Sequence, residues 1–220
     1  MNGTDEAKRG ALSEDPGFLV GPAGNLQVHV DRPVAASDPP RVAVICHPHP
    51  RFGGTMDNKV VTTIARAATD VGWHAVRFNF RGVGASAGTY DEGRGEAEDA
   101  RAVFEWAAEQ WPARRPALAG FSFGAWVAIR LAFAVSPSRL LTVAPPVDRF
   151  TGLPARPLGC PWWLIQGMAD EIVAADRVIA WAKTLVAPPH IVCLPSVTHF
   201  FHGQLGALRG LAREFFQEDG

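Results

Sequence analysis

Long apolar runs are missing from this sequence. None of its apolar segments reaches the length of about 18 residues that a transmembrane helix requires. The amino-terminal residues 1–16 are polar and acidic, without the apolar core of a secretory signal peptide. We therefore expect residues 1–16 to be a flexible tail, and the protein to be cytoplasmic with no membrane partner.

Cysteine and one-sided charge are also scarce. The three cysteines, Cys46, Cys160 and Cys193, are an odd number at wide spacing, and each lies in or beside an apolar segment. This pattern favours buried free thiols over a disulfide framework. The formal net charge is −1 and no segment is a basic block, so the sequence predicts no nucleic-acid or anionic-lipid partner. A small molecule or a peptide remains as the expected partner.

The composition that is present is that of an ordinary globular protein. Of the 220 residues, 47% are apolar and 20% are charged, which is far from the balance of a disordered or fibrous chain. This length allows a substantial core. Because we find no internal repeat and no linker, we predict a single domain over residues 1–220.

Short apolar segments alternate with longer segments of helical period. Residues 18–30 predict an antiparallel hairpin around a Gly-rich turn. Continuous apolarity over about five residues is typical of strands that are buried on both faces of a parallel sheet. Six segments have this character: residues 42–46, 74–80, 116–121, 140–144, 162–166 and 190–194.

Apolar residues between these segments recur at helical spacing, which predicts helices that pack on the sheet. Residues 123–134 are apolar nearly all round and predict a central helix. The other stripes are Val60, Ile64 and Ala68; Ala100, Phe104, Ala107 and Trp111; Val178, Trp181, Ala182 and Leu185; and Leu205, Leu208, Ala212 and Phe215. The alternation predicts an α/β fold, a doubly wound, mostly parallel sheet with an amino-terminal antiparallel hairpin.

The pentapeptide GFSFG, residues 120–124, ends a predicted strand and opens the central helix. A sharp strand-to-helix turn lifts a serine hydroxyl above the sheet, and flanking glycines allow the neighbouring backbone to pack closely. Ser122 is therefore a candidate nucleophile. The alternative is a plain Gly-rich loop.

A nucleophilic serine needs a base, and the base needs a carboxylate to orient it. Asp170 follows the strand at 162–166 and His199 follows the strand at 190–194, which are the strand ends where open α/β sheets assemble their sites. Asp148 is a rival for the acid. Glu171 is adjacent to Asp170, but we expect its side chain to point elsewhere. We expect the remaining nearby histidine, His202, to be a wall or surface residue.

Five motifs together resemble the α/β-hydrolase superfamily, and in particular its small, lid-free prokaryotic members. They are CHPHPRFGGTMDNK, RFNFRGVGASAGTYDEG, GFSFG, GMADEIV and THFFHG, and they extend from about residue 42 to the end. The resemblance implies Ser122 as the nucleophile, His199 as the general base and then acid, and Asp170 as the orienting carboxylate. It implies no cofactor.

In this fold, two backbone N–H groups stabilise the oxyanion of the tetrahedral intermediate. The resemblance makes Phe123, after the nucleophile, one donor, and it places the other in CHPHPRFGG. Pro48 and Pro50 have no N–H. His49 is therefore favoured and Arg51 comes second.

Two stretches invite other interpretations. His47 and His49 could begin a metal site with His199, His202, Asp57 or Cys46, but no zinc spacing fits them, and we predict no metal. The stretch RGVGASAG has glycines at Gly82, Gly84 and Gly88 rather than in the dinucleotide-binding spacing, and we assign it no cofactor.

The segment from Pro145 to Cys160 has room for only a short turn or helix where larger relatives carry a lid, so we expect an open site. Five apolar side chains are candidates for a wall that would favour short acyl chains or aromatic esters: Phe52, Met56, Phe123, Phe200 and Phe201. The first hypothesis is a serine hydrolase that cleaves small carboxylic esters or thioesters through an acyl-enzyme. The alternatives are a small-peptide hydrolase and a non-catalytic protein of the same fold that binds a ligand or a partner.

Overall fold

Eight strands form one sheet in the computed structural model of the chain, which describes residues 17–149 and 153–218. The tail predicted at residues 1–16 lies outside the described residues. In chain order the strands are β1 (Phe18–Gly21), β2 (Gly24–Asp31), β3 (Arg41–Cys46), β4 (Trp73–Phe78), β5 (Ala117–Phe121), β6 (Leu140–Val143), β7 (Trp162–Gly167) and β8 (His190–Leu194).

The strands lie in the order β1-β2-β4-β3-β5-β6-β7-β8 across the sheet. The pairs β1/β2 and β2/β4 are antiparallel, and every pair from β4/β3 onward is parallel. This confirms the predicted doubly wound α/β fold with its amino-terminal hairpin. Because the parallel strands all end at one edge of the sheet, the loops after β3, β5, β7 and β8 meet there.

Within the described residues, five α-helices cover the two faces of the sheet. They are α1 (Lys59–Asp70), α2 (Arg94–Gln110), α3 (Phe123–Val135), α4 (Ala175–Lys183) and α5 (Leu205–Gln217). The apolar sides of α1 and α5 share one core cluster with Ile45 and Phe121 of the sheet, whereas α2 and α3 share another with Val44 and Leu118. Adjacent residues of a strand point to opposite faces, which is why the strands that are buried on both faces are apolar at most positions.

The structure corrects the prediction for β8. This strand lies at the edge of the sheet, and its residues are half-buried or exposed rather than buried on both faces. The prediction of three buried thiols is wrong for two of them: Cys193 is exposed because it lies on β8, and Cys160, before β7, is half-buried, whereas Cys46 is buried. All three are free.

Several element boundaries differ from the predictions by one or two residues. The strand predicted to reach residue 80 ends at Phe78, and Asn79 and Phe80 begin a loop. The stripe that included Leu185 extends past α4, which ends at Lys183.

The connection between β6 and β7 is short. Its described part holds one 3-10 helix, Val147–Arg149, and residues 150–152 lie outside the described residues. No lid domain is present between these strands in the described part, as predicted. Over residues 17–149 and 153–218, no helix combines the length and the apolar character of a membrane span.

Candidate active site

Ser122 sits at the sharp turn between β5 and α3. Its backbone has φ 53° and ψ −120°, a conformation that is unfavourable for a residue with a side chain. The Ser122 N–H donates to the Val143 carbonyl at 2.9 Å, and its carbonyl accepts from Ala125 at 2.9 Å. The turn is thus tied to the sheet on one side and to α3 on the other, and the hydroxyl stays half-buried at the edge where the strands end.

The glycines on either side of Ser122 allow this turn. A Cβ added at Gly120 would lie 2.3 Å from the Gly124 carbonyl oxygen, and one at Gly124 would lie 2.3 Å from the Cys46 carbonyl oxygen. No side chain fits at these distances. The close packing that the GFSFG pattern predicts is therefore present.

The structure brings the three predicted residues together. His199 Nε2 lies 3.1 Å from Ser122 Oγ, and His199 Nδ1 lies 2.8 Å from Asp170 Oδ2. Because a carboxylate accepts, Nδ1 carries the proton, which leaves Nε2 to accept from the serine hydroxyl. The His199 ring is buried between Phe121 and Phe200, each about 5.0 Å away. This arrangement can move a proton from the hydroxyl to the imidazole.

Asp170 is locked in place by its hydrogen bonds. Its Oδ1 accepts from the backbone N–H groups of Ile172 at 2.9 Å and Val173 at 2.7 Å, and Gln166 Nε2 donates to its Oδ2 at 3.2 Å. Burial raises the pKa of Asp170, but the bonds from His199 and from the two amides, with the charge of His199, outweigh burial. The pKa of this carboxyl therefore lies below its ordinary value, and it stays ionised at neutral pH.

The rival acid lies elsewhere. Both oxygens of Asp148 bind the guanidinium of Arg177 on α4, at 2.8 and 3.0 Å, in an exposed ion pair. His202 is exposed, with its ring 6.0 Å from that of Phe200. Neither side chain has a described contact with His199.

The CHPHPRFGG stretch forms the loop after β3, with a 3-10 helix at Pro50–Phe52. His49 precedes this helix, and its Nδ1 accepts from the Arg51 N–H at 3.2 Å. This bond engages the amide of Arg51, the second candidate donor. The ring centroids of His49 and Phe123 lie 4.9 Å apart, so the two residues that are favoured as donors to the oxyanion are neighbours.

His47 serves the fold. It is fully buried, its Nδ1–H donates to the Pro48 carbonyl at 2.6 Å, and its Nε2 accepts from the Phe80 N–H at 3.0 Å. Burial is the main cause that lowers the pKa of His47 to about 4, so the ring is neutral. Of the other candidate ligands, Asp57 binds Arg77 at 2.8 Å. In the part of the chain that the structure describes, no group of three or more His, Cys, Asp or Glu residues could hold a metal ion.

Two polar residues that the sequence analysis did not single out, Arg77 and Asn79, bond to Met56 in the loop after β3. Arg77 on β4 donates to the Met56 carbonyl at 2.9 Å and binds Asp31 at 2.6 Å, and Asn79 Oδ1 accepts from the Met56 N–H at 2.8 Å. Both come from the RFNFRG stretch, where polar residues alternate with aromatic ones. The sequence signal that could have identified Arg77 and Asn79 is the presence of polar residues at the end of an otherwise apolar strand.

The RGVGASAG stretch is the loop after β4. Gly82, Gly84 and Gly88 have φ values of 72°, 56° and 82°, which explains why glycine occupies these positions. Arg81 binds the buried carboxylate of Asp99 at 2.8 and 3.0 Å, and this pair fixes the loop to α2.

A groove of about 640 Å³ opens beside the loop after β3. The ring of Phe123 packs against three of its lining rings, with centroids 4.9 to 6.0 Å away. The lining residues are His49, Arg51, Phe52, Tyr90, Glu92 and Trp126.

Only part of the predicted apolar wall is accessible. Phe52 and Phe200 are exposed, at 83% and 39% of their surface, whereas Met56, Phe123 and Phe201 are buried. The expectation that all five form a wall is therefore wrong, and Tyr90 and Trp126 contribute aromatic surface that the sequence did not indicate.

Comparison with known proteins identifies the family. The sequence model of the X-Pro dipeptidyl-peptidase (S15 family) matches residues 24–150. The chain belongs to the S15 family. A solved α/β serine hydrolase without a lid, from Xanthomonas campestris, is 45% identical, with a TM-score of 0.83 over 92% of this chain and 95% of that one. These matches confirm the predicted resemblance to the α/β-hydrolase superfamily and its lid-free members.

Two further relatives of this S15 chain extend the comparison. An α/β serine hydrolase homologue from Coxiella burnetii is 42% identical, with a TM-score of 0.85 over 90% of this chain and 95% of that one. An uncharacterized protein from Rickettsia prowazekii is 37% identical over 168 residues, which are 73% of this chain and 69% of that protein.

Glu171 is the residue of this S15 chain whose position the sequence misjudged. Its Oε2 accepts from the His199 backbone N–H at 3.1 Å. The expectation that Glu171 points elsewhere is therefore wrong. Adjacency to Asp170 was the only signal in the sequence, and it does not give the direction of a side chain.

Proposed function

We propose that this S15 chain is a serine hydrolase that cleaves carboxylic esters or thioesters of small, accessible substrates through an acyl-enzyme. Ser122 is the nucleophile, His199 the general base and then acid, and Asp170 the orienting carboxylate. The observation that carries the proposal is the pair of contacts on one imidazole, 3.1 Å to Ser122 Oγ and 2.8 Å to Asp170 Oδ2.

In the first half-reaction, His199 Nε2 takes the proton of Ser122 as Oγ attacks the acyl carbon. The imidazolium that forms is stabilised by the ionised Asp170. Negative charge develops on the former carbonyl oxygen, and the N–H groups of Phe123 and His49 are the proposed donors to it. Phe123 is the first residue of α3, so its N–H has no acceptor within the helix and lies where the helix dipole favours negative charge.

His199 then protonates the leaving oxygen or sulfur, and the alcohol or thiol departs. A water molecule loses its proton to the same Nε2 and attacks the acyl-enzyme, and the proton returns to Ser122 Oγ as the acid leaves. Since no lid stands between β6 and β7 in the described residues, solvent reaches the site directly, which suits small and accessible substrates.

The groove beside the loop after β3 is the proposed site of the acyl group. Phe123 follows the nucleophile directly and packs behind the groove rings of His49, Tyr90 and Trp126, so an acyl chain that extends from Ser122 toward the groove meets the aromatic surface of these rings. The aromatic side chains in its lining favour short acyl chains and aromatic acyl groups.

The test is labelling of the purified protein with a fluorophosphonate, beside its Ser122→Ala variant, with hydrolysis of p-nitrophenyl esters of increasing chain length measured in parallel. We expect labelling and turnover in the wild type and loss of both in the variant, by about 10⁴-fold or more for turnover. A folded wild type with neither activity would favour a binding protein of the same fold.

The S15 match favours a second candidate, cleavage of the amide bond after an X-Pro dipeptide. The chemistry is the same, with an amine as the leaving group. An X-Pro p-nitroanilide measured beside the ester series separates the two candidates. If the kcat/KM for the anilide exceeds that for every ester, the peptidase becomes the first candidate.

A further inference from the structure

The loops after β7 and β8 are joined by a row of backbone contacts. The Ala169 N–H donates to the Val197 carbonyl at 3.0 Å, and the Met168 N–H donates to the Leu194 carbonyl at 3.0 Å. A Cβ added at Gly167 would lie 2.4 Å from the Val197 carbonyl oxygen. The start of the β8 loop therefore packs directly on the β7 loop.

Beyond this start, the β8 loop carries backbone strain on both sides of His199. Ser196 has φ 58° and Phe201 has φ 55°, values that are unfavourable for residues with side chains. Such a conformation persists only where surrounding contacts hold it. His199 lies between these two residues, so a contact to its main chain would help to hold the loop in this conformation.

Glu171 supplies that contact. Its Oε2 accepts from the His199 backbone N–H at 3.1 Å, while Asp170 Oδ2 accepts from the ring Nδ1 at 2.8 Å. Two consecutive carboxylates thus hold one histidine at its main chain and at its ring. Fixing both ends limits the rotation that would carry Nε2 away from Ser122 Oγ.

We infer that Glu171 is a positioning residue for His199: it orients the histidine through the backbone amide. The orienting contact stands on the geometry, and the effect on catalysis rests on the proposed function. His199 faces Asp170 and Glu171 from the loop after β7 and Ser122 from the turn after β5, and His202 lies on its own loop. The side chain of Asp170 is fully buried, and Glu171 is exposed.

Because Glu171 is exposed, it can be substituted without disturbing the core. Glu171→Gln keeps an oxygen that can accept from the amide and removes the charge, whereas Glu171→Ala removes both. The matched control is Glu109→Gln, at an exposed glutamate of α2.

The first measurement is the NMR spectrum of the His199 imidazole, assigned with His199→Asn, because it needs no activity. We expect the ring signals to differ from the wild type in Glu171→Ala, since the main chain of His199 loses its contact, and to stay close to the wild type in Glu171→Gln, which keeps an acceptor for the amide. Glu109→Gln should leave them in place. Unchanged ring signals in Glu171→Ala overturn the orienting role.

Amide hydrogen exchange tests the orienting contact in the same samples. The His199 amide should exchange about tenfold faster in Glu171→Ala, and close to the wild-type rate in Glu171→Gln. Equal exchange in all three proteins overturns the contact, whatever the protein hydrolyses.

Ester hydrolysis then tests the effect on catalysis. Glu171→Ala should lower kcat about tenfold with KM unchanged, and Glu171→Gln, which keeps an acceptor for the amide, should restore kcat to within about threefold of the wild type. Full activity in both variants overturns the positioning role while leaving the proposed hydrolase standing. If the wild type itself hydrolyses nothing, the proposed function fails, and the NMR and exchange results alone decide whether Glu171 holds His199.

Discussion

The candidate site has two halves. We call the one made of Ser122, Phe123 and the loop of His47 and His49 the nucleophile half, and the one made of Asp170 and His199 the acid–base half, after their proposed roles. The nucleophile half stands over β3 and β5, which are neighbours within the sheet and are buried along almost their whole length. Backbone packs against backbone there, as at Gly124, and polar atoms such as those of His47 have partners out of reach of solvent.

The acid–base half stands over β7 and β8, at the edge of the sheet. It has less apolar surface to pack on, since β8 is half-buried or exposed along its length. Hydrogen bonds to carboxylates hold it instead, with Asp170 accepting from a ring, a side-chain amide and two backbone amides.

The difference predicts two modes of failure. Changes of volume or burial should unfold the nucleophile half, because its atoms have no room to move. Changes of charge or hydrogen bonding should disable the acid–base half while the fold survives.

The largest effect is expected at Asp170. Asp170→Asn should lower kcat/KM by about 10⁴-fold, because an amide in place of the carboxylate favours the wrong tautomer of His199. Asp148→Asn, in the exposed ion pair with Arg177, is the matched control and should retain activity within about twofold. Ester kinetics measures the loss of activity in both variants, and circular dichroism checks that both are folded. A larger loss in the Asp148 variant would move the acid to the end of β6.

Gly124→Ala should damage the nucleophile half by crowding. Its Cβ would lie 2.3 Å from the Cys46 carbonyl oxygen, so the backbone must shift, at a cost of about 3 kcal/mol in the free energy of unfolding. Gly210→Ala, where an added Cβ meets no atom within 4 Å, should be neutral or slightly stabilising. Urea unfolding measures both. Equal stability of the two variants would contradict close packing at Gly124.

Acid should weaken the two halves over different pH ranges. The folded-state pKa of His47 is lowered from 6.5 to about 4, so the unfolded chain binds more protons as pH falls below 6.5. Stability should therefore decline from about pH 6.5 to about pH 4, by at most about 3 kcal/mol from this residue. Burial lowers the pKa of His74 as well, which adds to the decline in the same direction.

Asp170 has a lowered folded-state pKa, so the stability that it contributes is present above its ordinary carboxyl pKa and is lost below that range, as pH falls through the lowered value. Urea midpoints between pH 7.5 and pH 3.5 should show the histidine range first. In His47→Gln the slope between pH 6.5 and 4 should flatten. A slope as steep as in the wild type would show that His47 does not cause it.

The smallest effect is expected at the rim of the groove. Phe52 is 83% exposed, and Phe52→Ala should raise KM for aromatic esters about threefold without changing stability. Val34→Ala, at a fully exposed apolar residue before β3, is the matched control and should change neither. Equal KM values for acetyl and aromatic esters in Phe52→Ala and the wild type would argue against the groove as the acyl site.

Most of the fold and the core of the site could be predicted because they depend on local pattern and chain order. Buried parallel strands need continuous apolarity, and GFSFG carries its own steric signal at Gly120 and Gly124. Asp170 and His199 were found because parallel strands bring their carboxyl ends to one edge. That inference depends on the order of the strands and does not depend on how many residues separate Asp170 from His199.

What the sequence could not give depends on neighbours that only folding brings together. β8 has the composition of a buried strand, and its place at the edge is decided by which strands pair with it. Phe200 and Phe201 are adjacent, yet one is exposed and the other buried because Phe201 turns inward through a positive φ. The contact from Glu171 to His199 spans 28 residues, and nothing within either segment specifies it.

The most direct test of the central claim is the pre-steady-state release of p-nitrophenol from p-nitrophenyl acetate, with the mass of the protein measured during the burst. The account predicts a burst of one equivalent per protein chain and an added acetyl group located on Ser122, both absent from Ser122→Ala. Turnover in the wild type with no burst and no adduct, or an adduct on any other residue, would contradict an acyl-enzyme at Ser122.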